Sequence, residues 1–251
     1  MKISSVIHLA IFLTGILLCN STATKVYSET YDSPENSAFL AEQNQDLDQS
    51  STPLRIMPLG DSITYGTGAE GGYRSRLWAE FLAENRAVDF VGSQSYGSVG
   101  TDLDHEGHPG KTIQFLRENI VNWLGASDPD VILLMIGTND ILYPEAHDFA
   151  QAPYRIGALI DQITLNAPNA KLLVASVSPL GDPLRNEQAM GFNAEIEAAA
   201  NRYANRGRSV YFVDMSEALT PTDLVDGIHP NADGYDRVAQ TWHSAILEVL
   251  E

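Results

Sequence analysis

Cysteine is nearly absent. The single one, Cys19, lies inside an apolar N-terminal segment, so the rest of the chain can form no disulfide and must draw its stability from a buried core. Cations are scarce as well: 15 Lys and Arg stand against 33 Asp and Glu, a formal net charge of -18. Nucleic acid and anionic membrane surfaces both reward clustered Lys and Arg, so this balance excludes them as partners. It suits a neutral substrate and favours solubility. Long apolar runs are missing too. Residues 6–18 form an apolar stretch interrupted by His8, Thr14 and Gly15, which is too short to span a bilayer. There are no internal repeats.

That stretch has the features of an export signal. Lys2 supplies the positive start, and Ser21-Thr22-Ala23 supplies small residues for cleavage near Ala23, so residues 1–23 are read as a signal peptide. Lipid attachment through Cys19 is the alternative, which the bulky Leu18 before it disfavours. The expected location is secreted or periplasmic, with no membrane insertion after cleavage. Residues 24–53 are dominated by Glu, Asp, Gln, Asn and Ser without apolar period, which reads as a flexible acidic linker. An extra helix docking through Phe39-Leu40-Ala41 is the competing reading. Residues 54–251 remain for one domain, with 44% apolar and 19% charged residues over the whole chain, as in ordinary globular proteins.

Within the domain, short Val-, Ile- and Leu-rich runs at 55–59, 88–91, 131–136, 171–176 and 210–213 read as strands covered on both faces. Helix-period segments lie between them. Residues 73–85 place Leu77, Trp78, Phe81 and Leu82 on one side, and Thr112 can cap a helix carrying Ile113, Leu116, Ile120 and Trp123. Further helices are expected at 153–166, 192–206 and 232–250, the last with Asn231 placed to cap it. Alternation of this kind predicts an α/β, flavodoxin-like three-layer sandwich. Its five-stranded parallel sheet takes the order 2-1-3-4-5, numbering the strands along the chain.

The chemistry is concentrated in a few loops at one edge of that sheet. Gly60-Asp61-Ser62-Ile63-Thr64 follows the first strand and presents a serine just past its carboxyl end, where open α/β sheets bind ligands. A serine hydroxyl there needs a base and donors for the developing charge. Asp226-Gly227-Ile228-His229-Pro230-Asn231 offers an imidazole and a carboxylate in one loop. Pro230 keeps His229 out of the helical region, and Asp226 can curl back to the Nδ1 hydrogen. Taken singly, Asp226 also fits a turn cap and His229 an ordinary loop histidine. Gly137-Thr138-Asn139-Asp140 follows the most apolar strand and offers an amide donor, though either polar residue could simply end the strand in an Asx turn. The backbone N–H of Gly110 in His108-Pro109-Gly110-Lys111-Thr112 is a further candidate donor, equally consistent with a plain helix entry.

Together Gly60-Asp61-Ser62, Gly110, Gly137-Thr138-Asn139-Asp140 and Asp226-Gly227-Ile228-His229-Pro230 resemble, in order, the four blocks of the SGNH (GDSL-type) hydrolases. The resemblance implies the SGNH hydrolase fold and a serine esterase without cofactor. It makes Ser62 the nucleophile, His229 the base and Asp226 its support, with the oxyanion held by Ser62 N–H, Gly110 N–H and the Asn139 amide. Ile56-Met57-Pro58-Leu59, Gly72-Tyr73-Arg74-Ser75-Arg76-Leu77-Trp78, Val88-Asp89-Phe90-Val91-Gly92-Ser93 and Asp104-His105-Glu106-Gly107 resemble the carbohydrate esterase family 3 branch. That branch is associated with deacetylation of xylan and related sugars, which implies an acetylated oligo- or polysaccharide as substrate. Pro109 departs from the pattern, where a small residue such as serine is expected.

Asp61, Tyr65, Tyr73, Arg74 and Tyr143 flank these blocks and are the candidates for substrate contact. The tyrosines could stack on a sugar ring or pack internally, and Arg74 is expected to pair with a carboxylate such as Asp61 or Asp140. Asp104-His105-Glu106 with His108 is too crowded for a metal site and lacks a distant ligand at zinc spacing, so a polar loop at the pocket mouth is expected and no metal. A monomer is expected. Two other functions compete: a lysophospholipase, thioesterase or arylesterase of the same superfamily, and a non-catalytic carbohydrate-binding domain on this scaffold.

Overall fold

The computed structural model describes residues 52–251. The export signal, Cys19 and nearly all of the acidic linker, including Phe39-Leu40-Ala41, lie outside the described residues. Strands β1 (Leu54–Gly60), β2 (Val88–Phe90), β5 (Val131–Met135), β6 (Lys171–Ala175) and β7 (Val210–Val213) pair in parallel in the order β2-β1-β5-β6-β7. Counting those five along the chain, this is 2-1-3-4-5.

The sheet is larger than the apolar pattern indicates. β3 (Gln94–Ser95) and β4 (Asp104–Gly107) form an antiparallel pair, and β4 runs parallel to the last residues of β1, making seven strands. The segment expected as a polar loop at the pocket mouth is therefore a strand. No hydrophobic signal marks it because its buried side chains are polar, and Glu106 finds its partners outside the strand. Buried Glu106 accepts from Ser93 N–H at 2.8 Å and Ser93 Oγ at 2.7 Å, and binds the His108 ring at 2.5 Å. Buried carboxylates need such partners.

Successive residues of the central strands feed two separate cores, as a two-residue period requires. Met57, Leu59, Ile132, Leu134, Leu172 and Val174 face one side, where α3 (Ile113–Ser127), α5 (Ala152–Asn166) and α6 (Pro183–Ala204) cover them. Ile56, Val131, Leu133, Met135 and Leu173 face the other, against α2 (Gly72–Ala83) and α7 (Ala232–Leu250). Two short helices, α1 (Ser62–Tyr65) and α4 (Thr138–Leu142), sit at the carboxyl ends of β1 and β5.

Three local expectations change. Leu82 is 65% exposed, because α2 turns Tyr73, Leu77 and Phe81 inward and leaves the next residue off that face. Thr112 makes no side-chain cap on α3; Asp140 Oδ2 accepts the Ile113 N–H instead, at 3.0 Å. α6 starts at Pro183 and not at residue 192, because Asp182 accepts the Arg185 N–H at 2.8 Å and Pro183 needs no donor in the first turn. Asn231 caps α7 as expected, accepting from Gly234 N–H at 2.8 Å.

Candidate active site

Ser62 is the first residue of α1, not a free loop residue. Asp61 caps that helix by accepting the Ile63 N–H at 3.0 Å. The turn before it requires glycine: a Cβ on Gly60 would lie 2.2 Å from the Met135 carbonyl oxygen and 2.5 Å from Thr64 Oγ1. Ser62 is thereby held at the sheet's carboxyl edge, 9% exposed.

His229 arrives there on a loop pinned at both ends. Val225 N–H donates to the His229 carbonyl at 2.9 Å, Asn231 N–H to Asp223 at 2.7 Å, and Gly181 N–H to Gly227 at 2.8 Å. The His229 Nε2 then lies 2.8 Å from Ser62 Oγ, and Nδ1 lies 2.7 Å from Asp226 Oδ2. The other Asp226 oxygen accepts from the N–H groups of Ile228 (3.0 Å) and His229 (2.8 Å). Partial burial works against the Asp226 charge, but the hydrogen bonds from His229 and Ile228 outweigh it and hold the carboxyl below the ordinary range. A carboxylate only accepts, so the proton sits on Nδ1 and Nε2 is left to accept from the serine hydroxyl.

The donors converge on the same place. Asn139, in the first turn of α4, donates from Nδ2 to the Lys111 carbonyl at 2.9 Å and to Asp61 Oδ2 at 3.4 Å. Both hydrogens of Nδ2 are thus engaged, and the long bond to Asp61 is the one an oxyanion would take over. The N–H groups of Ser62 and Gly110 make no hydrogen bond among the described residues. Gly110 has φ +74 and follows Pro109 in a turn closed by Lys111 N–H to the His108 carbonyl at 3.2 Å. Proline then glycine with positive φ is the preferred order for a type II turn, which accounts for the departure at Pro109.

Most of the expected substrate contacts do other work. Tyr73 is fully buried beside Trp242, at 6.3 Å between rings, and its hydroxyl meets Thr64 Oγ1 at 3.4 Å. Arg74 is also buried and pairs with neither Asp61 nor Asp140. It donates to the carbonyls of Thr64 (2.9 Å), Tyr65 (3.0 Å), Tyr96 (2.7 Å) and Leu103 (3.4 Å), tying the segment after the nucleophile to the β3–β4 hairpin. Tyr65 already has a stacking partner, Tyr96, at 4.4 Å with rings nearly parallel. Asp61 is buried under the site and touches no solvent that a substrate could replace. Tyr143 alone stays open, 59% exposed at the end of α4.

Burial raises Asp61 to about 6, against the opposing Ile63 N–H and the nearby His229. A carboxyl raised above its ordinary value stabilises the fold when protonated, and that contribution disappears as pH rises through about 6. Asp61→Asn keeps the cap without the charge, so urea unfolding should show the variant gaining on the wild type by about 1–3 kcal/mol between pH 4.5 and pH 8. A gap that does not widen with pH contradicts this.

Asp140 and Arg155 carried no mark in the sequence beyond an acid next to Asn139. Asp140 is buried and, besides capping α3, accepts from Arg155 Nη2 at 3.0 Å, with the Arg155 side chain 11% exposed. Asp140→Ala strips a helix of its cap and leaves a buried guanidinium unpaired, a loss of about 3–5 kcal/mol in chemical denaturation. Tyr235 is the other missed contributor; its hydroxyl donates to the Thr67 carbonyl at 2.7 Å and anchors the nucleophile loop on α7.

Comparison with known proteins agrees with this geometry. The profile of the GDSL-like Lipase/Acylhydrolase family matches residues 59–237, more than half of the chain. A "Multidomain esterase" of Ruminococcus flavefaciens is 33% identical over 235 residues, covering 82% of this chain but only 29% of its own length. Among solved structures, "Clostridium thermocellum family 3 carbohydrate esterase" superposes with a TM-score of 0.71 at 37% identity, covering 79% of this chain and 99% of that one. A carbohydrate esterase family 3 structure from Talaromyces cellulolyticus gives 0.68 at 25% identity, covering 78% and 98%.

Proposed function

Because the chain belongs to the GDSL-like lipase/acylhydrolase family, we propose that it is an exported serine esterase that removes acetyl groups from acetylated carbohydrate of the xylan type. The observation that carries the reaction is the continuous line from Ser62 Oγ to His229 Nε2 (2.8 Å) and from His229 Nδ1 to Asp226 (2.7 Å). What supports the substrate is the likeness to family 3 carbohydrate esterases over nearly the whole of their length.

In this mechanism Ser62 Oγ attacks the acetyl carbonyl carbon while its proton passes to His229 Nε2. The carbonyl oxygen becomes an oxyanion and takes hydrogen bonds from the N–H groups of Ser62 and Gly110 and from the Asn139 amide. The bond to the sugar oxygen breaks, His229 returns the proton to that oxygen, and the sugar leaves with a free hydroxyl. Water then attacks the acyl-Ser62 ester and gives its proton to His229, which passes it to Ser62 Oγ as the acyl–oxygen bond breaks and acetic acid leaves. Asp226 holds the imidazole in the required tautomer and favours its cationic form at each step.

Acetate release from acetylated xylan, set beside a 4-nitrophenyl ester series of rising chain length, tests the reading. The expected result is release from xylan and a maximum at the acetyl ester. A maximum at long acyl chains would favour a lipase or thioesterase, and binding of xylan without any turnover a carbohydrate-binding role. Export rests on Lys2, the apolar stretch at 6–18 and the small residues up to Ala23. N-terminal sequencing of the protein recovered outside the cytoplasm should begin close to residue 24.

A further inference from the structure

A cleft of about 460 Å³ opens between the start of α3 and the segment joining α4 to α5, within the size range of small-molecule sites. It adjoins the oxyanion donors without including them. Asp140 in its wall follows Asn139, and Thr112 follows Lys111, whose carbonyl accepts the Asn139 amide at 2.9 Å. The wall is organised by one side chain. Arg155 Nη2 donates to Asp140 Oδ1 at 3.0 Å and to the carbonyls of His147 (2.7 Å) and Asp148 (3.1 Å), while its buried Nε has no partner among the described residues.

Gln114 and Glu118 from α3 and Glu145 and His147 from the segment joining α4 to α5 line this space, together with the half-buried Phe115 ring. Amide, carboxylate, imidazole and guanidinium groups suit sugar hydroxyls, which donate and accept at once, and an aromatic ring suits the apolar face of a pyranose. Charge narrows the class. Glu118, Glu145 and Asp148 stand at the cleft, the Arg155 guanidinium is already paired with Asp140, and the Lys111 ammonium, 4.8 Å over the Phe115 ring, offsets the three acids only in part. A uronate carboxylate would meet like charge there, whereas an uncharged sugar would not.

We propose that this cleft holds the uncharged glycan chain beside the acetylated sugar, an inference that rests on the esterase reading above. The chain reaches past the oxyanion donors, so the cleft selects for oligosaccharide over a small ester and does not enter the chemistry. Gln114→Ala and Glu145→Ala, one on each wall and both exposed, remove contacts without touching Ser62, His229 or Asn139.

The experiment measures three quantities on the wild type and both variants: KM for acetylated xylo-oligosaccharide, kcat/KM for 4-nitrophenyl acetate, and calorimetric binding of unacetylated xylo-oligosaccharide. Each variant is expected to raise the oligosaccharide KM about 2- to 10-fold, the worth of a lost hydrogen bond, and to weaken binding equally. Hydrolysis of 4-nitrophenyl acetate should stay unchanged. Acetylated oligogalacturonate should be the poorer substrate, with Glu118→Gln and Glu145→Gln together narrowing the difference. Unchanged KM and binding in both alanine variants overturn the proposal, as does a galacturonate preference in the wild type. Failure of the underlying esterase reading looks different: no hydrolysis of either ester by the wild type, with calorimetry still reporting on the cleft.

Discussion

Ser62→Ala should lower kcat/KM for acetyl esters by about 10⁴- to 10⁶-fold, the range seen when the nucleophile of a serine hydrolase is removed. The hydroxyl it deletes makes one side-chain hydrogen bond, to His229 Nε2 at 2.8 Å, and belongs to neither apolar core. The helix it begins is capped by Asp61 and not by Ser62, so the unfolding free energy should change by less than about 1 kcal/mol. His229→Ala should cost a similar amount, and the double variant little more, because the two groups act as one unit. The check is a burst-free progress curve with 4-nitrophenyl acetate, run beside urea denaturation. Activity above one hundredth of wild type in a folded Ser62→Ala protein would falsify the covalent mechanism.

Asp226→Asn comes next, with an expected loss of about 10³- to 10⁴-fold in kcat. The carboxamide oxygen can still accept the Ile228 and His229 backbone N–H groups that Asp226 Oδ1 serves at 3.0 and 2.8 Å, so the loop should keep its shape. What changes is the proton. An NH₂ group facing Nδ1 makes that nitrogen an acceptor and moves the ring hydrogen to Nε2, where it points at the serine hydroxyl and cannot receive its proton. Stability should respond in the opposite sense at low pH. The Asp226 carboxyl is held below its ordinary value, so its contribution is present above about 3.8 and is lost as pH falls through the folded-state value. The variant should therefore be less stable than the wild type at neutral pH, and the gap should close in acid. A variant retaining more than a tenth of wild-type kcat would remove Asp226 from the mechanism and leave His229 oriented by its surroundings alone.

These two variants probe residues that the sequence already displays, and the reason is local. Asp226 and His229 are three positions apart in one turn, with Pro230 restricting the backbone, so their hydrogen bond needs no distant information. The five apolar strands were legible for a similar reason, since strands buried on both faces show as unbroken Val, Ile and Leu. Strand β4 was not, because the residues it buries, His105, Glu106 and Gly107, carry no apolar side chain and leave no periodic trace. Arg74 shows the same limit from the other side. An arginine flanking the blocks that carry Asp61 and Asp140 suggests an ion pair, yet four backbone carbonyls, from the segment after the nucleophile and from the β3–β4 hairpin, take its donors.

The chain alone was enough to establish the strand-and-helix alternation, the four chemical blocks and their order, and the tautomer-setting turn around His229, because each depends on residues a few positions apart. Only the tertiary structure decided that Asp140 caps a helix 27 positions away, that Tyr73 and Arg74 lie beneath the site and not in it, and that Arg155 shapes a cleft beside the oxyanion donors. Pairings between distant polar groups follow from how the layers pack and which burial costs must be offset. No period or spacing along the chain records that.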